Sequence, residues 1–277
     1  MTSAAGARLA HRDEQLHDAT FEHVDLSRAR FDRVDLTGSR FQMVDIAQAE
    51  FRDTAFRHVR MRGVELEDVD ISGEVKDVRV NGIDVWPLVS AELDRLHPER
   101  TRLRPTDPAG YRQAWAILED LWSGTVERAR RLSADDPDLL HASVDGEWSF
   151  VETLRHLAFA TSCWLHRAIL GEPRPWGPLE LPWDTMPDTP GVPRDRAVRP
   201  SLDEALAVRL QRSNQVRTFL ESLTDEQLAG QTAPLSGTGW PPEGETFPVK
   251  ECLDVLINEE WWHRQYAERD LRELEVR

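Results

Sequence analysis

Residues 31–46 read FDRVDLTGSRFQMVDI, and they show the rule that governs the first part of the chain. A large apolar residue returns at every fifth position, and from the second one onward a small or β-branched residue stands two places before it. The large residues are Leu16, Phe21, Leu26, Phe31, Leu36, Phe41, Ile46, Phe51, Phe56, Met61, Leu66 and Ile71. A period of five fits neither the 3.6-residue turn of an α-helix nor the alternation of a strand. Two inward positions in five therefore predict a chain that coils around a narrow, filled axis.

Several units of this stretch are similar to the A-(D/N)-L-x-x units of the pentapeptide-repeat family. Val34-Asp35-Leu36, Val44-Asp45-Ile46 and Val69-Asp70-Ile71 fit that pattern closely, and the resemblance covers roughly residues 15–75. It implies a right-handed, four-sided β-helix with about twenty residues in each coil, hence roughly three coils here. An amphipathic helix or a disordered polar arm would leave the period of five unexplained.

The composition limits the classes of function that the chain can have. A chain of 277 residues has room for two domains with cores of their own. Its net charge of −16 argues against a nucleic-acid partner, because phosphate backbones are bound by clustered Lys and Arg. Two cysteines are too few for a disulfide framework, and no apolar run is long enough to span a bilayer. We therefore expect a cytoplasmic protein without a membrane partner.

The five-residue rule stops after Ile71, which predicts a multidomain β + α chain. Alternating valines on both sides of Asn81-Gly82 predict a β-hairpin, which we interpret as the cap that closes the coil. A short helix from Pro87 to Leu96 follows, and then a polar linker. The predicted parts are a pentapeptide-repeat β-helix with its hairpin cap at 1–88, the short helix and linker at 89–107, and a helical bundle at 108–277.

Four amphipathic helices are predicted in the last part, and helices of this length form a four-helix bundle. The first runs from Pro108 to Leu132, the second from the capping box Ser149-Phe-Val-Glu152 to Gly171, the third from the capping box Ser201-Leu-Asp-Glu204 to about Leu223, and the fourth follows Pro248. The two connections after the second and third helices are long and contain Trp176, Trp183 and Trp240. We expect them to form walls over one end of the bundle. The first of them also allows the second and third helices to run parallel.

Three side chains of these helices form a candidate metal site. Glu259 and His263 are four residues apart on the last helix, so they share one face, which Leu256 and Cys252 mark as inward. His156 on the second helix would complete a set of two imidazoles and a carboxylate, which suits a divalent transition metal with one open position. An inward histidine is more often a packed core residue, so the spacing alone leaves both interpretations open.

The sequence around these residues resembles that of the DinB-like superfamily over about residues 108–275. The segments that carry the resemblance are Gly146-Glu-Trp-Ser-Phe-Val-Glu-Thr-Leu-Arg-His156 and Asn258-Glu-Glu-Trp-Trp-His-Arg264. Many members place three histidines at a metal, whereas this chain has Glu259 at one of those places. The mycothiol-dependent maleylpyruvate isomerases, which the chain also resembles here, have the same His-Glu-His set. The resemblance implies the ligands His156, Glu259 and His263, with zinc as the default metal and nickel or iron as alternatives.

The same resemblance implies a class of reaction, although it leaves open whether the chain is an active enzyme. A low-molecular-weight thiol of the mycothiol type would bind the open position as thiolate and attack a small electrophile, as in a thiol-dependent transferase or isomerase. The partners would then be a small-molecule thiol and its electrophile. Arg155 or Arg264 would meet a carboxylate of thiol or substrate, and Trp176, Trp183 and Trp240 would line the substrate site. No residue is assigned as the catalytic acid or base.

Cys163 follows His156 by seven residues and therefore lies near the same helix face. It is a candidate fourth ligand, a candidate redox thiol, or a core residue. The core interpretation is favoured, because free cysteine usually packs as a small hydrophobic side chain.

The alternative function is non-enzymatic and uses the coil as a binding or scaffold surface. Some pentapeptide-repeat proteins are acidic rods that mimic DNA and occupy DNA gyrase. Residues 1–88 carry 12 basic and 17 acidic residues, a net charge of −5, which leaves −11 for the remainder. Since the coil is the less acidic part and is short, we rank DNA mimicry below the metal site. The coil stays a candidate surface for a homodimer or a protein partner.

Overall fold

The computed structural model describes residues 10–51, 54–73 and 75–276. Residues 1–9, 52, 53, 74 and 277, which the predicted domains include, lie outside the described residues. The chain divides into two compact units, Met1–Asp70 and Ile71–Arg277. The predicted hairpin and the short helix both fall in the second unit, and the predicted domain limits at residues 88 and 107 stay predictions.

The first unit repeats its backbone conformation every five residues. Residues with positive φ recur at this spacing, and they are Asp13, Asp18, His23, Arg28, Arg33, Gly38, Met43, Gln48, His58, Gly63 and Asp68. Local hydrogen bonds close the turns: the Ala29 N–H donates to the Leu26 carbonyl at 2.9 Å, and the Ser27 N–H donates to the Asp25 carboxylate at 2.8 Å. The period in the sequence is therefore also a period in the backbone.

The predicted β-helix is not confirmed. The described residues of the first unit contain no strand. The large apolar side chains of the repeat within the first unit stay half-exposed, from 46% at Leu26 to 67% at Phe41. The turns need only hydrogen bonds between close neighbours, whereas a filled axis needs side chains from successive coils to pack on one another. The five-residue rule accounts for the turns and leaves the packing of the coils as a prediction.

The second unit begins with the predicted hairpin. Strands β1 (Arg79–Val80) and β2 (Ile83–Asp84) are antiparallel, with Val80 opposite Ile83. Asn81 and Gly82 between them have φ values of 49° and 84°, as both central residues of a type I′ turn require. The hairpin prediction is thus confirmed. Helix α1 (Trp86–Leu96) follows directly, and a 3-10 turn (Pro98–Arg102) occupies part of the predicted linker.

The main helices begin and end close to where the sequence predicts. They are α2 (Pro108–Leu132), α3 (Phe150–Thr161), α4 (Leu202–Ser222), the short α5 (Asp225–Leu228) and α6 (Val249–Glu275), with a 3-10 turn (Pro137–His141) before α3. Both predicted capping boxes are present, at Ser149 and at Ser201. The predicted second helix is not regular throughout, because α3 continues as a π-helix over Ser162–Ile169.

Helices α2, α3, α4 and α6 form the bundle. Both α2 and α3 pack against α4 and against α6. His166 Nε2 at the end of the second helix lies 2.9 Å from Gln215 Oε1 late in α4, whereas Phe150 and Ala205 share a core cluster near the two helix starts. The two helices therefore run in the same direction, as the long crossover of residues 172–200 predicts. None of the described helices has both the length and the apolar character that crossing a bilayer requires.

The capping boxes predict a measurable contribution to stability. Replacing Ser201 with Ala removes the hydroxyl that accepts a hydrogen bond from the Glu204 N–H. We expect a loss of about 1 kcal/mol in the free energy of unfolding, measured by urea denaturation. Ser123→Ala, on the exposed face inside α2, is the matched control and should leave stability unchanged or raise it, because Ala is the better helix former. Equal losses in both variants would contradict the capping argument.

Candidate metal centre

Helices α3 and α6 bring the three predicted ligands together. His156 Nε2 lies 3.3 Å from Glu259 Oε2, and His263 Nε2 lies 3.1 Å from the same oxygen. One potential ligand atom from each residue lies within 4.8 Å of the others, so a single cation could contact all three. The pair on α6 shares a face because its members are one helical turn apart. His156 reaches them because α3 packs directly on α6.

The electrostatics of the triad favour a carboxylate beside neutral imidazole. Burial lowers the pKa of His156, whose exposed fraction is only 6%. Burial would raise the pKa of Glu259, but the close contacts of its carboxylate with the imidazoles of His156 and His263 outweigh this effect and hold the pKa of Glu259 well below its usual value. An ionised carboxylate and a neutral histidine are the forms that coordinate metals.

The second nitrogen of His156 fixes its tautomer. Nδ1 lies 3.1 Å from the carbonyl oxygen of Leu181, and a carbonyl can only accept a hydrogen bond. Neutral His156 therefore carries its proton on Nδ1, and the lone pair of Nε2 is directed at the Glu259 carboxylate. Two acceptors that face each other at this distance repel unless a proton or a metal ion lies between them. The donor set thus fits a metal, with a backbone carbonyl orienting the imidazole.

Two aromatic side chains flank the triad. The ring of Trp148 lies parallel to His263, with an interplanar angle of 2° and 5.7 Å between centroids, and 4.5 Å from the ring of His156. Tyr266 meets His263 edge-on at 6.0 Å. Neither residue was predicted from the sequence to belong to the site. The available signal was the position of Trp148 directly before the capping box, which places it at the buried start of α3.

The two predicted substrate arginines do not join the triad. Arg155 is buried and donates to the carbonyls of Leu179, Asp195 and Val198 at 2.7, 2.7 and 3.0 Å. It therefore ties the crossover to α3.

Arg264 points to α2 instead. Its Nε donates to the carbonyl of Leu121 at 3.1 Å and to the Thr125 hydroxyl at 3.0 Å. Both guanidinium groups thus hold parts of the bundle together.

The predicted tryptophan walls come together in one cluster. Trp176, Trp183 and Trp240 pack with Phe159, Cys163, Met186 and Val192. Trp183 and Trp240 belong to different connections, and their rings meet edge-to-face at 5.0 Å. Phe159 links the cluster to the triad, because its ring lies 6.3 Å from both His156 and Trp183. The walls therefore adjoin the metal site on the side of His156.

Cys163 belongs to this cluster, and its sulfur is not among the potential ligand atoms of the triad. Its sulfur accepts a hydrogen bond from the indole N–H of Trp176 at 3.4 Å. Burial raises the pKa of the thiol, so it stays protonated at neutral pH. These contacts support the core interpretation among the alternatives that the sequence leaves open.

Two family models match the chain. Residues 117–267, more than half of the chain, match the DinB superfamily. The chain belongs to the DinB superfamily. Residues 15–53 match pentapeptide repeats in eight copies, so this DinB protein carries a repeat segment before its bundle. No curated protein and no solved structure matches the chain.

The contacts of Arg155 predict a local effect on the crossover of this DinB protein. Arg155→Lys keeps the charge but loses the fork that reaches three carbonyls. We expect the amide groups of residues 179–198 to exchange with solvent at least about tenfold faster, which corresponds to about 1.4 kcal/mol of local opening. Hydrogen-exchange mass spectrometry measures this directly. Arg199→Lys is the control, since Arg199 is exposed and pairs only with Asp138 among the contacts described. Unchanged exchange in Arg155→Lys would refute the anchoring role.

Proposed function

We propose that the bundle binds a divalent transition metal, zinc first, through His156, Glu259 and His263. The observation that carries the proposal is the position of the His156 ring, whose Nδ1 lies 3.1 Å from the Leu181 carbonyl and whose Nε2 lies 3.3 Å from the Glu259 carboxylate. Because a neutral His156 then presents an acceptor to an acceptor, this part-buried arrangement needs a proton or a metal ion between Nε2 and the carboxylate. Protonation of His156 would supply one, but burial lowers the pKa of this imidazole and disfavours that form. Nickel and iron have similar ligand preferences and are the alternatives.

The ligand set favours a catalytic over a purely structural metal. Structural zinc sites are usually closed by four protein ligands, whereas catalytic sites use three and keep one position open. Two histidines and one glutamate supply three, and Cys163 faces Trp176 instead. When bound, such a metal lowers the pKa of a thiol at its open position and so supplies a nucleophile at neutral pH.

We propose further that the bundle is a thiol-dependent transferase or isomerase that takes a low-molecular-weight thiol of the mycothiol type and a small electrophile. Membership of the DinB superfamily supports a metal-binding bundle, and the His-Glu-His resemblance to mycothiol-dependent maleylpyruvate isomerases supports the thiol. The chain's own residues would support this chemistry: the Leu181 carbonyl holds His156 in one tautomer, and Phe159 and Trp183 line the adjoining side with aromatic rings.

Metal binding predicts a gain in thermal stability. Protein purified without an affinity tag should hold close to one equivalent of zinc, nickel or iron by elemental analysis. Adding zinc to metal-free protein at about 100 times the Kd should stabilise it by about 2.7 kcal/mol and raise Tm by about 5 to 10 °C. Glu259→Gln and His156→Ala should lose most of this shift. His141→Ala, outside the triad, is the control and should keep it.

Two results would refute the metal proposal. One is the absence of stoichiometric metal in tag-free protein together with no zinc-induced shift in the wild type. The other is a shift of the same size in His156→Ala, which would place the ion elsewhere. The thiol is tested separately by adding mycothiol to the cobalt-loaded protein and following the visible spectrum. An unchanged spectrum would leave the metal site standing and remove the thiol chemistry.

A further inference from the structure

We propose that Trp148 is the access gate of the metal site and that Asp184 and Arg196 hold it closed. The inference rests on the proposed metal function. In this proposal Trp148 does not decide how tightly the metal binds. It decides how fast the metal and its exogenous ligands reach His156 and His263.

Trp148 packs against both imidazoles, and with its ring in place the side chains of His156, His263 and Glu259 are 8%, 19% and 31% exposed. Its ring centroid lies 4.5 Å from that of His156 and 5.7 Å from that of His263, parallel to the latter. The two imidazoles lie only 4.8 Å apart, so one indole spans the pair. The other neighbours of the imidazoles come from the crossover and from α6: the Leu181 carbonyl lies 3.1 Å from His156 Nδ1, and Tyr266 meets His263 edge-on. Trp148 lies directly before the N-cap of α3, outside the two helices that carry the ligands.

A charged clamp from the crossover holds the indole in place. The Trp148 Nε1–H donates to Asp184 Oδ1 at 2.8 Å, and Arg196 forms an ion pair with the same carboxylate oxygen. The Arg196 guanidinium also lies over the Trp148 ring, 5.7 Å from its centroid, and 3.5 Å from Glu152. Asp184 and Arg196 are each 37% exposed. An ion pair in water contributes little to stability, so this clamp can open at a small cost.

The backbone on both sides of Trp148 is fixed, which confines the motion to the side chain. Asp145 and Gly146 have φ values of 49° and 73°, and the Glu147 N–H closes this turn on the Val144 carbonyl at 2.8 Å. On the other side Ser149 is the N-cap of α3 and is held by Glu152. Rotation of the indole, once Asp184 releases it, is therefore the movement that uncovers the imidazoles.

A gate has a kinetic signature that a structural contact lacks. A side chain that blocks the path changes the barrier between the free and the bound state and leaves the two end states as they are. Its removal raises the rates of metal entry and metal release by the same factor, so the Kd is unchanged. A side chain that holds the ligands in position instead raises the release rate alone, and the Kd weakens with it.

The test measures both rates and the Kd for zinc in the full chain, with a chromophoric chelator as competitor. In Trp148→Ala we expect entry and release each to accelerate about tenfold or more, with the Kd within about threefold of wild type. Asp184→Ala keeps the indole and removes its anchor, so both rates should rise about two- to fivefold, as the loss of an exposed ion pair allows. Asp138→Ala is the matched control, because Asp138 also pairs with a crossover arginine, Arg199, but does not hold Trp148.

Each outcome decides between the proposals. Unchanged rates in both Trp148→Ala and Asp184→Ala overturn the gate while the metal site stands. A Kd that weakens in step with the release rate also overturns it and makes Trp148 a ligand-holding residue. If Trp148→Ala does not fold, Asp184→Ala and Trp148→Phe, which keeps a ring but loses the bond to Asp184, carry the same comparison. Failure of the wild type to bind zinc, nickel or iron refutes the proposed function, and the gate falls with it.

Discussion

Buried arginines that satisfy backbone carbonyls are the interaction on which the site depends. Arg167 is 1% exposed and donates to the carbonyls of Pro173, Ser236, Gly237 and Pro241. It thereby joins both long connections at one point. Burial lowers the pKa of this guanidinium, and an unpaired buried cation is costly unless its N–H groups are satisfied. The four carbonyls offset the cost of burying this guanidinium, because each accepts a hydrogen bond from it. The same hydrogen bonds satisfy the carbonyls, which then need no water. Loops of this length therefore have one defined path.

Two further buried arginines extend this anchoring to the candidate metal ligands. Arg155 holds the crossover at Leu179 and Asp195, on either side of the Leu181 carbonyl that fixes the tautomer of His156. Arg212 on α4 pairs with the buried Glu180 at 2.6 Å. Packing at Gly239 is equally tight, since a Cβ there would lie 2.3 Å from the Trp176 ring and 2.8 Å from the Arg167 guanidinium carbon. The crossover thus supplies the carbonyl that orients His156, and arginines of the bundle helices fix the path of the crossover.

The contrast between helices, which follow from local chemistry, and connections, which are held by distant contacts, explains what the sequence could and could not predict. Helix limits follow from local chemistry, so the capping boxes at Ser149 and Ser201 place them correctly. Helical spacing predicts that Glu259 and His263 share a face, and the resemblance to the DinB-like superfamily adds His156 to the set. The contacts of Arg155 and Arg264 were not predicted, because their partners include backbone carbonyls far along the chain, and a carbonyl leaves no mark in the sequence. The repeat shows the same limit: its turns follow from the period, whereas the packing of its coils does not.

The neighbouring carboxylates Glu259 and Glu260 show how the fold selects one ligand from two candidates. Consecutive residues on a helix point about 100° apart, so only one of them can face α3. Glu260 faces α4 instead, where it is 2% exposed and pairs with Arg209. Burial raises the pKa of Glu260, and the guanidinium of Arg209 opposes that rise. The charge of Glu260 is therefore balanced by Arg209 and not by a group of the triad. Glu259 instead lies against the imidazoles of His156 and His263, which is the arrangement on which the proposed metal site rests.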